Sequence, residues 1–270
     1  MKPLTFIMRA APDQRLDLSR LTPQNLAEKS EAEIARIELQ TTRERVTVGD
    51  IFVISPGEAG SIVIEGGSAR FDRVAMAMGA GSLLVEGEVG VEAGRRMTGG
   101  RLTIRGDVGP FAGSGMKGGE VVIFGDAGER LAGPLAGETT GMSGGLLHVY
   151  GSAGPRAGDR LRRGIVLIEG DAGPYAGSRM IAGTLAIAGR AGELPGYLMN
   201  RGTVLIGGGS TLLAPTFGDC GVYELTAARL LAGAIQTASP RIARLFRRPL
   251  RRLAGDLAAL GKGEIFIPQI

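Results

Sequence analysis

The sequence predicts an all-β fold, a right-handed parallel β-helix of about seven coils, on three observations. One phrase recurs: residues 99–109 read GGRLTIRGDVG, and it returns as GGEVVIFGDAG (118–128), GGLLHVYGSAG (144–154), RGIVLIEGDAG (163–173) and AGTLAIAGRAG (182–192). Its second residue falls at Gly81, Gly100, Gly119, Gly145, Gly164, Gly183 and Gly202, spaced by 19 residues except for one interval of 26. A fixed period of that length marks a solenoid whose units stack only on their neighbours. Third, each phrase holds a short alternating run. Leu102 and Ile104, Val121 and Ile123, Leu147 and Val149, Val166 and Ile168, Leu185 and Ile187, and Val204 and Ile206 share one face of a strand and form the lining.

Two further columns point inward at the same period. One is small (Val89, Val108, Ala127, Ala153, Ala172, Ala191) and one long (Met78, Met97, Met116, Met142, Leu161, Met180, Met199). Three inward columns per 19 residues describe a coil with three short sides. Thioethers stacked at this spacing fill a core rather than bind a soft metal. The glycines at 87, 106, 125, 151, 170 and 189 are expected at corners, where positive φ or close backbone stacking excludes a Cβ. Flexible glycine-rich chains do not keep aliphatics at a fixed offset from each glycine.

In chain order, residues 1–59 are expected to form a small α/β N-terminal cap. Its parts are a strand at 4–9, a helix start with Thr22 as N-cap and Pro23 at N1, and a helix over 27–39. Ser30 and Glu33 make a capping-box pattern for that helix. Residues 46–54 read as a strand broken by a turn at Gly49-Asp50. Such a segment covers the open end of a solenoid, whose terminal unit must hide its edge. Coils fill residues 60–209, and the long interval, ERLAGPLAGETTG, is a loop pushed out of one coil. Residues 210–270 are expected as a helical C-terminal segment packed on the solenoid: a helix over 223–234, then a basic run with Ile242, Leu245 and Phe246 on an apolar face, broken at Pro249.

Composition bounds the function. The formal net charge is +4 with an isoelectric point near 9.6, and mean hydropathy is +0.13 with no apolar run long enough to span a membrane. The start, MKPLTFIMRAAPDQ, has too short an apolar stretch for a secretory signal, which places the protein in the cytoplasm. The single cysteine, Cys220, has no base assigned to it and reads as an inert small residue. Eight Phe, four Tyr and no Trp, not interleaved with the basic residues, argue against nucleic acid as a partner.

No catalytic or metal-ligating residue set is assigned. His148, the one histidine, sits at an outward strand position with no carboxylate or cysteine grouped around it in sequence. The GDAG phrases resemble phosphate loops but recur in coil after coil and lack a following helix. Asp107, Asp126 and Asp171 share a column and are expected to bond local backbone N–H groups rather than a cation. Outward residues turn apolar on the middle coils. Val122, Phe124, Leu146, His148, Tyr150, Ile165 and Leu167 form a candidate partner interface, or a face covered by the C-terminal segment. Arg244, Arg247, Arg248, Arg251 and Arg252 form a basic group suited to an acidic partner.

The repeated glycine phrase resembles the GXGXG β-helix shared by the C-terminal domain of glutamate synthase large subunits and the C subunit of formylmethanofuran dehydrogenases. LTPQNLAEKSEAEIARIEL with VTVGDIFVI before the coils, and FRRPLRRLAGDLAALGKGEIFI after them, favour the second family across nearly the whole chain. The resemblance implies a non-catalytic scaffold subunit of a hetero-oligomeric one-carbon complex. In methylotrophic bacteria that complex moves a formyl group from formyl-tetrahydromethanopterin to a methanofuran-type carrier and hydrolyses it to formate. In archaea it is a tungsten- or molybdenum-dependent dehydrogenase. The Arg-, Ala- and Gly-rich, Lys-poor composition favours the bacterial setting. The implied partners are amidohydrolase-like A, B and formyltransferase D subunits, with any metal in the amidohydrolase-like one and none in this chain. The arginines are then placed for an acidic, glutamate-rich carrier tail.

Overall fold

The computed structural model describes residues 2–269, so Met1 and Ile270, the outermost residues of the expected cap and C-terminal segment, lie outside it. Sheet dominates. Thirteen strands form one sheet, ordered Phe52–Ser55, Pro3–Met8, Glu58–Glu65, Ser82–Glu86, Arg101–Ile104, Glu120–Ile123, Ser143–Val149, Arg163–Ile168, Thr184–Ile187, Arg201–Ile206, Lys262–Pro268, Leu250–Gly255 and Gly218–Tyr223. From Pro3–Met8 to Lys262–Pro268 every neighbour is parallel. The strands at the two ends pair antiparallel.

Register follows the repeat. Leu83, Leu102, Val121, Leu147, Val166, Leu185 and Val204 are successive partners across the sheet. A second ladder of single parallel bridges joins Ser68, Val89, Val108, Ala127, Ala153, Ala172 and Ala191. The Met78 to Met199 column is fully buried, as are the strand aliphatics of 102–206. Each buried Leu, Ile, Val or Met contributes about 1.5–3 kcal/mol. A unit that buries only a few such groups is stable only against its neighbours.

The two glycine requirements fall on different columns. Positive φ belongs to the second residue of the phrase, as at Gly119 (φ +84), and to one predicted corner, Gly87 (φ +147). The predicted corner Gly125 is instead fixed by stacking, since a Cβ there would lie 2.1 Å from Asp107 Oδ1 and 2.6 Å from the Gly106 carbonyl carbon. The seven extra residues form a loop, and Glu138 fastens it: its carboxylate accepts from Leu135 N (3.0 Å), Arg95 Nη2 (2.7 Å) and Arg96 Nη2 (3.0 Å). Burial pushes the Glu138 carboxyl up, but the bonds from Arg95, Leu135 and Arg96 outweigh it and hold it below the ordinary glutamate range.

The flanks differ from the sequence expectation in several places. Helix α1 spans Pro23–Leu26; Thr22 stands at its N-cap with extended backbone, yet its hydroxyl caps nothing and is buried without a partner among the described residues. The 27–39 helix shortens to α2, Glu31–Ala35, with the Ser30/Glu33 capping box in place. Beyond it Glu38–Thr41 is a strand, because Leu39 alternates with exposed neighbours and pairs with Val46. Residues 48–51 are one helical turn, α3 (Val48–Ile51), which Asp50 caps by accepting from Thr47 N and Oγ1, each at 2.7 Å. That replaces the expected turn at Gly49-Asp50.

At the other end, α4 (Thr226–Ile235) and α5 (Pro240–Phe246) form, and α5 stops short of Pro249. Beyond Pro249 the chain runs as strand, not helix. Leu250 and Leu253 are buried on opposite faces of the first strand, and Lys262–Pro268 carries buried Ile265 and Phe266 into parallel pairing with Arg201–Ile206. Among the described residues no helix is long and apolar enough to cross a membrane.

Candidate partner-docking face

The outward column of the middle coils runs Thr103, Val122, His148, Leu167, Ala186 and Leu205, each the register partner of the next. Side chains of a strand alternate, so this column stands on the face opposite the lining. Helices α4 and α5 lie across its far half. Ala228, Ala232 and Ile235 of α4, with Ile242, Ala243 and Phe246 of α5, form a second apolar cluster with Leu167, Ala186 and Leu205.

The seven predicted interface residues are therefore divided. Leu167 (0% exposed), His148 (2%) and Val122 (4%) are buried, and Leu146 and Ile165 are half-buried against the helices. Phe124 (45%) and Tyr150 (46%) remain exposed. The chain's own helices occupy most of the patch, because the apolar stripes of α4 and α5 need a cover as much as the strands do. The two free rings stack nearly parallel (3°) with centroids 4.8 Å apart, and the Arg105 guanidinium lies 5.7 Å from the Phe124 centroid. They flank an open groove of about 450 Å³ that Arg101, Glu120, Ala234 of α4 and Thr237 and Ala238 of the connection to α5 also line.

His148 has a carboxylate after all. Its Nε2 lies 3.1 Å from Glu169 Oε1, and the same oxygen accepts from Ser239 Oγ at 2.5 Å. Ser239 Oγ in turn accepts from Ile242 N at 3.1 Å, capping α5, and Arg241 Nη1 donates to the Glu169 carbonyl at 3.0 Å. Serine, histidine and glutamate meet here, but the hydroxyl and the imidazole both engage the carboxylate and not each other. The imidazole is thus not placed to take the serine proton, and the group ties helix to coil. Glu169 was readable: one 19-residue period and two strand positions beyond His148 lies the diagonal neighbour on the same face. Ser239 carries no such signal.

The arginine set also divides. Arg251 pairs with Asp219 at 2.8 Å and Arg252 with Glu264 at 2.7 Å, on the strand after Pro249. The Arg251 bond, with that from Gly221 N, holds the Asp219 carboxyl below its ordinary range. Arg244, Arg247 and Arg248 are exposed and make no ion pair among the described residues. The aspartate column serves the backbone: Asp107, Asp126 and Asp171 accept from the N–H of Asp126, Ser152 and Arg190 on the next coil, each at 2.7 Å. Among the described residues no cluster of three or more His, Cys, Asp and Glu forms that could hold a metal ion.

No family model matches the chain. It is 53% identical over 264 residues to the C subunit of the formyltransferase/hydrolase complex Fhc of Methylorubrum extorquens AM1, covering 98% of this chain and 99% of that one. It also matches a chain of the X-ray crystal structure of the formyltransferase/hydrolase complex FhcABCD from Methylorubrum extorquens in complex with methylofuran. That match has a TM-score of 0.95 and 44% identity, over 98% of this chain and 100% of the other.

Proposed function

The chain belongs to the family of formyltransferase/hydrolase complex C subunits, and from that membership we propose that it is the scaffold subunit of such a complex. The observation that carries the reading is end-to-end likeness: the 53% identity spans both chains almost completely, so the flanks match as well as the repeats. The complex transfers a formyl group from formyl-tetrahydromethanopterin to a methanofuran-type carrier and releases it as formate, in the cytoplasm of a bacterium. The bacterial source of both relatives favours this over an archaeal dehydrogenase.

The role of this chain is structural. Its fold is a right-handed parallel β-helix of about seven coils, flanked by an N-terminal cap (1–59) and a C-terminal segment (210–270). Chemistry resides in the partner subunits: the A and B subunits and the formyltransferase D subunit. The locked His148–Glu169–Ser239 group supports the absence of a proton relay here. Phe124 and Tyr150 dock a partner, with Leu146 and Ile165 as the margin of that contact, and Arg244, Arg247 and Arg248 face the acidic carrier.

Phe124→Asp with Tyr150→Asp tests the docking face, because both side chains are exposed and the isolated fold tolerates the change. Two interface aromatics carry about 2–4 kcal/mol between them, so the expected result is an intact chain that no longer co-purifies with its partners. Retained assembly overturns the docking face. Formyl transfer or hydrolysis by the purified chain alone overturns the scaffold role.

A further inference from the structure

One column of the turn edge has an unusual charge order. Arg73, Glu92, Phe111, Arg130, Arg156, Tyr175 and Leu194 occupy equivalent positions, all with left-handed backbone. Adjacent members are tied across coils: Phe111 N donates to Glu129 O, Arg130 N to Pro155 O, and Arg156 N to Pro174 O. At the N-terminal end the column is neutralised, since Arg73 pairs with Glu92 and with Asp17. Elsewhere on the coils the same rule holds, with Arg101 facing Glu120 and Arg105 facing Glu86.

Arg130 and Arg156 break it. They sit on neighbouring coils, about 4.8 Å apart by strand spacing, and neither makes an ion pair or side-chain hydrogen bond among the described residues. Each lies instead over the face of an aromatic ring, Arg130 over Phe111 (5.8 Å to the centroid) and Arg156 over Tyr175 (5.1 Å). A guanidinium held by a ring rather than by a carboxylate keeps its N–H groups free, and its planar fork can receive a carboxylate bidentately. Glu129 precedes Arg130 in the chain but forms no ion pair with it. Two like charges side by side repel, and among the described residues no ion pair offsets them.

We propose that the stripe Phe111–Arg130–Arg156–Tyr175 is a docking site for an acidic, extended segment of a partner protein, whose carboxylates supply the missing counter-charges. The proposal rests on the subunit reading above and concerns a different side of the coil from the Phe124 groove. Charge complementarity selects the occupant, and the linear array of sites, one per coil, selects an extended segment.

The test is assembly of the full chain with its co-expressed partner subunits, comparing wild type with Arg130→Glu/Arg156→Glu at graded salt. Glu92 already occupies this column at φ +62, so glutamate fits the backbone. The expected result is partner affinity weakened by about tenfold or more, with the salt dependence flattened. Arg130→Lys/Arg156→Lys keeps the charge but not the planar fork and is expected between the two. Wild-type affinity in the glutamate variant overturns the stripe while leaving the subunit reading intact. Failure of the wild type to assemble overturns both. Nucleic acid, rather than a partner protein, lost from the variant overturns the acidic-protein assignment.

Discussion

Replacing Glu169 by alanine cuts the tie between the C-terminal helices and the coils. Its Oε1 accepts the Ser239 hydroxyl and faces His148 Nε2. A hydrogen bond to a charged acceptor is worth about 1.5–3 kcal/mol, and a buried polar group left without a partner costs about 1–3 kcal/mol. Ser239 retains its bond from Ile242 N, so its loss is partial, whereas His148 is left with no polar partner and only the Tyr150 ring beside it. Arg241, with an exposed side chain 4.0 Å from Oε2, adds little. The sum is about 3 kcal/mol, set against the buried Ile235, Ile242 and Phe246, which hold the helices with about 1.5–3 kcal/mol each. The helices therefore open more often without leaving the coils. Amide hydrogen exchange followed by mass spectrometry should show residues 226–246 exchanging about a hundredfold faster, at about 1.4 kcal/mol per decade. The strand Arg201–Ile206 should stay unchanged. Glu169→Gln, which keeps an acceptor, should lose less than half as much. Exchange in 226–246 within about threefold of wild type, or an equal rise over the whole chain, would refute the tie.

Gly113→Ala should destabilise by about 2–4 kcal/mol in urea unfolding, from left-handed strain and overpacking, because φ is +69 and the added Cβ meets Leu147 Cδ1 at 2.3 Å. Gly137→Ala shares the positive φ (+82) but opens onto free space, so it should cost only the backbone part, about 1–2 kcal/mol; equal losses would discount the packing argument. Glu138 has its folded pKa held below the unfolded one, so its contribution is fully present above the ordinary glutamate pKa and disappears as pH falls through the folded value. The stability gap between wild type and Glu138→Gln should accordingly close on acidification, and a gap that widens contradicts the latch.

Much of the architecture was legible because translation by one coil makes it redundant. The column from Met78 to Met199 repeats one decision seven times, and the Ser30/Glu33 box needs only three intervening positions. Legibility failed where a contact is made once. Ser239 reaches Glu169 across 70 residues, and no period connects them. For the outward face the sequence leaves two owners open, a partner or the C-terminal segment, because it shows the patch and the amphipathic helices but not how far one closes on the other; the helices take Leu167 and leave Phe124 and Tyr150 exposed. The strands after Pro249 escape the sequence reading because Arg251 and Arg252 separate two leucines that turn to opposite faces, Leu253 to the lining and Leu250 to the helices. At Thr22 the cap residue was right and its chemistry was not, since packing buried the hydroxyl away from any N–H.

The antiparallel strands at the two ends of the long sheet bear on how the molecule knows its own length. A coil added by translation presents the same upper surface it was laid upon, so a stack of such coils contains no internal reason to stop, and two molecules placed end to end would continue one another as a filament. Phe52–Ser55 at one end and the Leu250–Gly255/Gly218–Tyr223 pair at the other reverse direction and offer no matching register to a further parallel coil. They act as full stops on a polymer written within one chain, and its length is set by the fold itself.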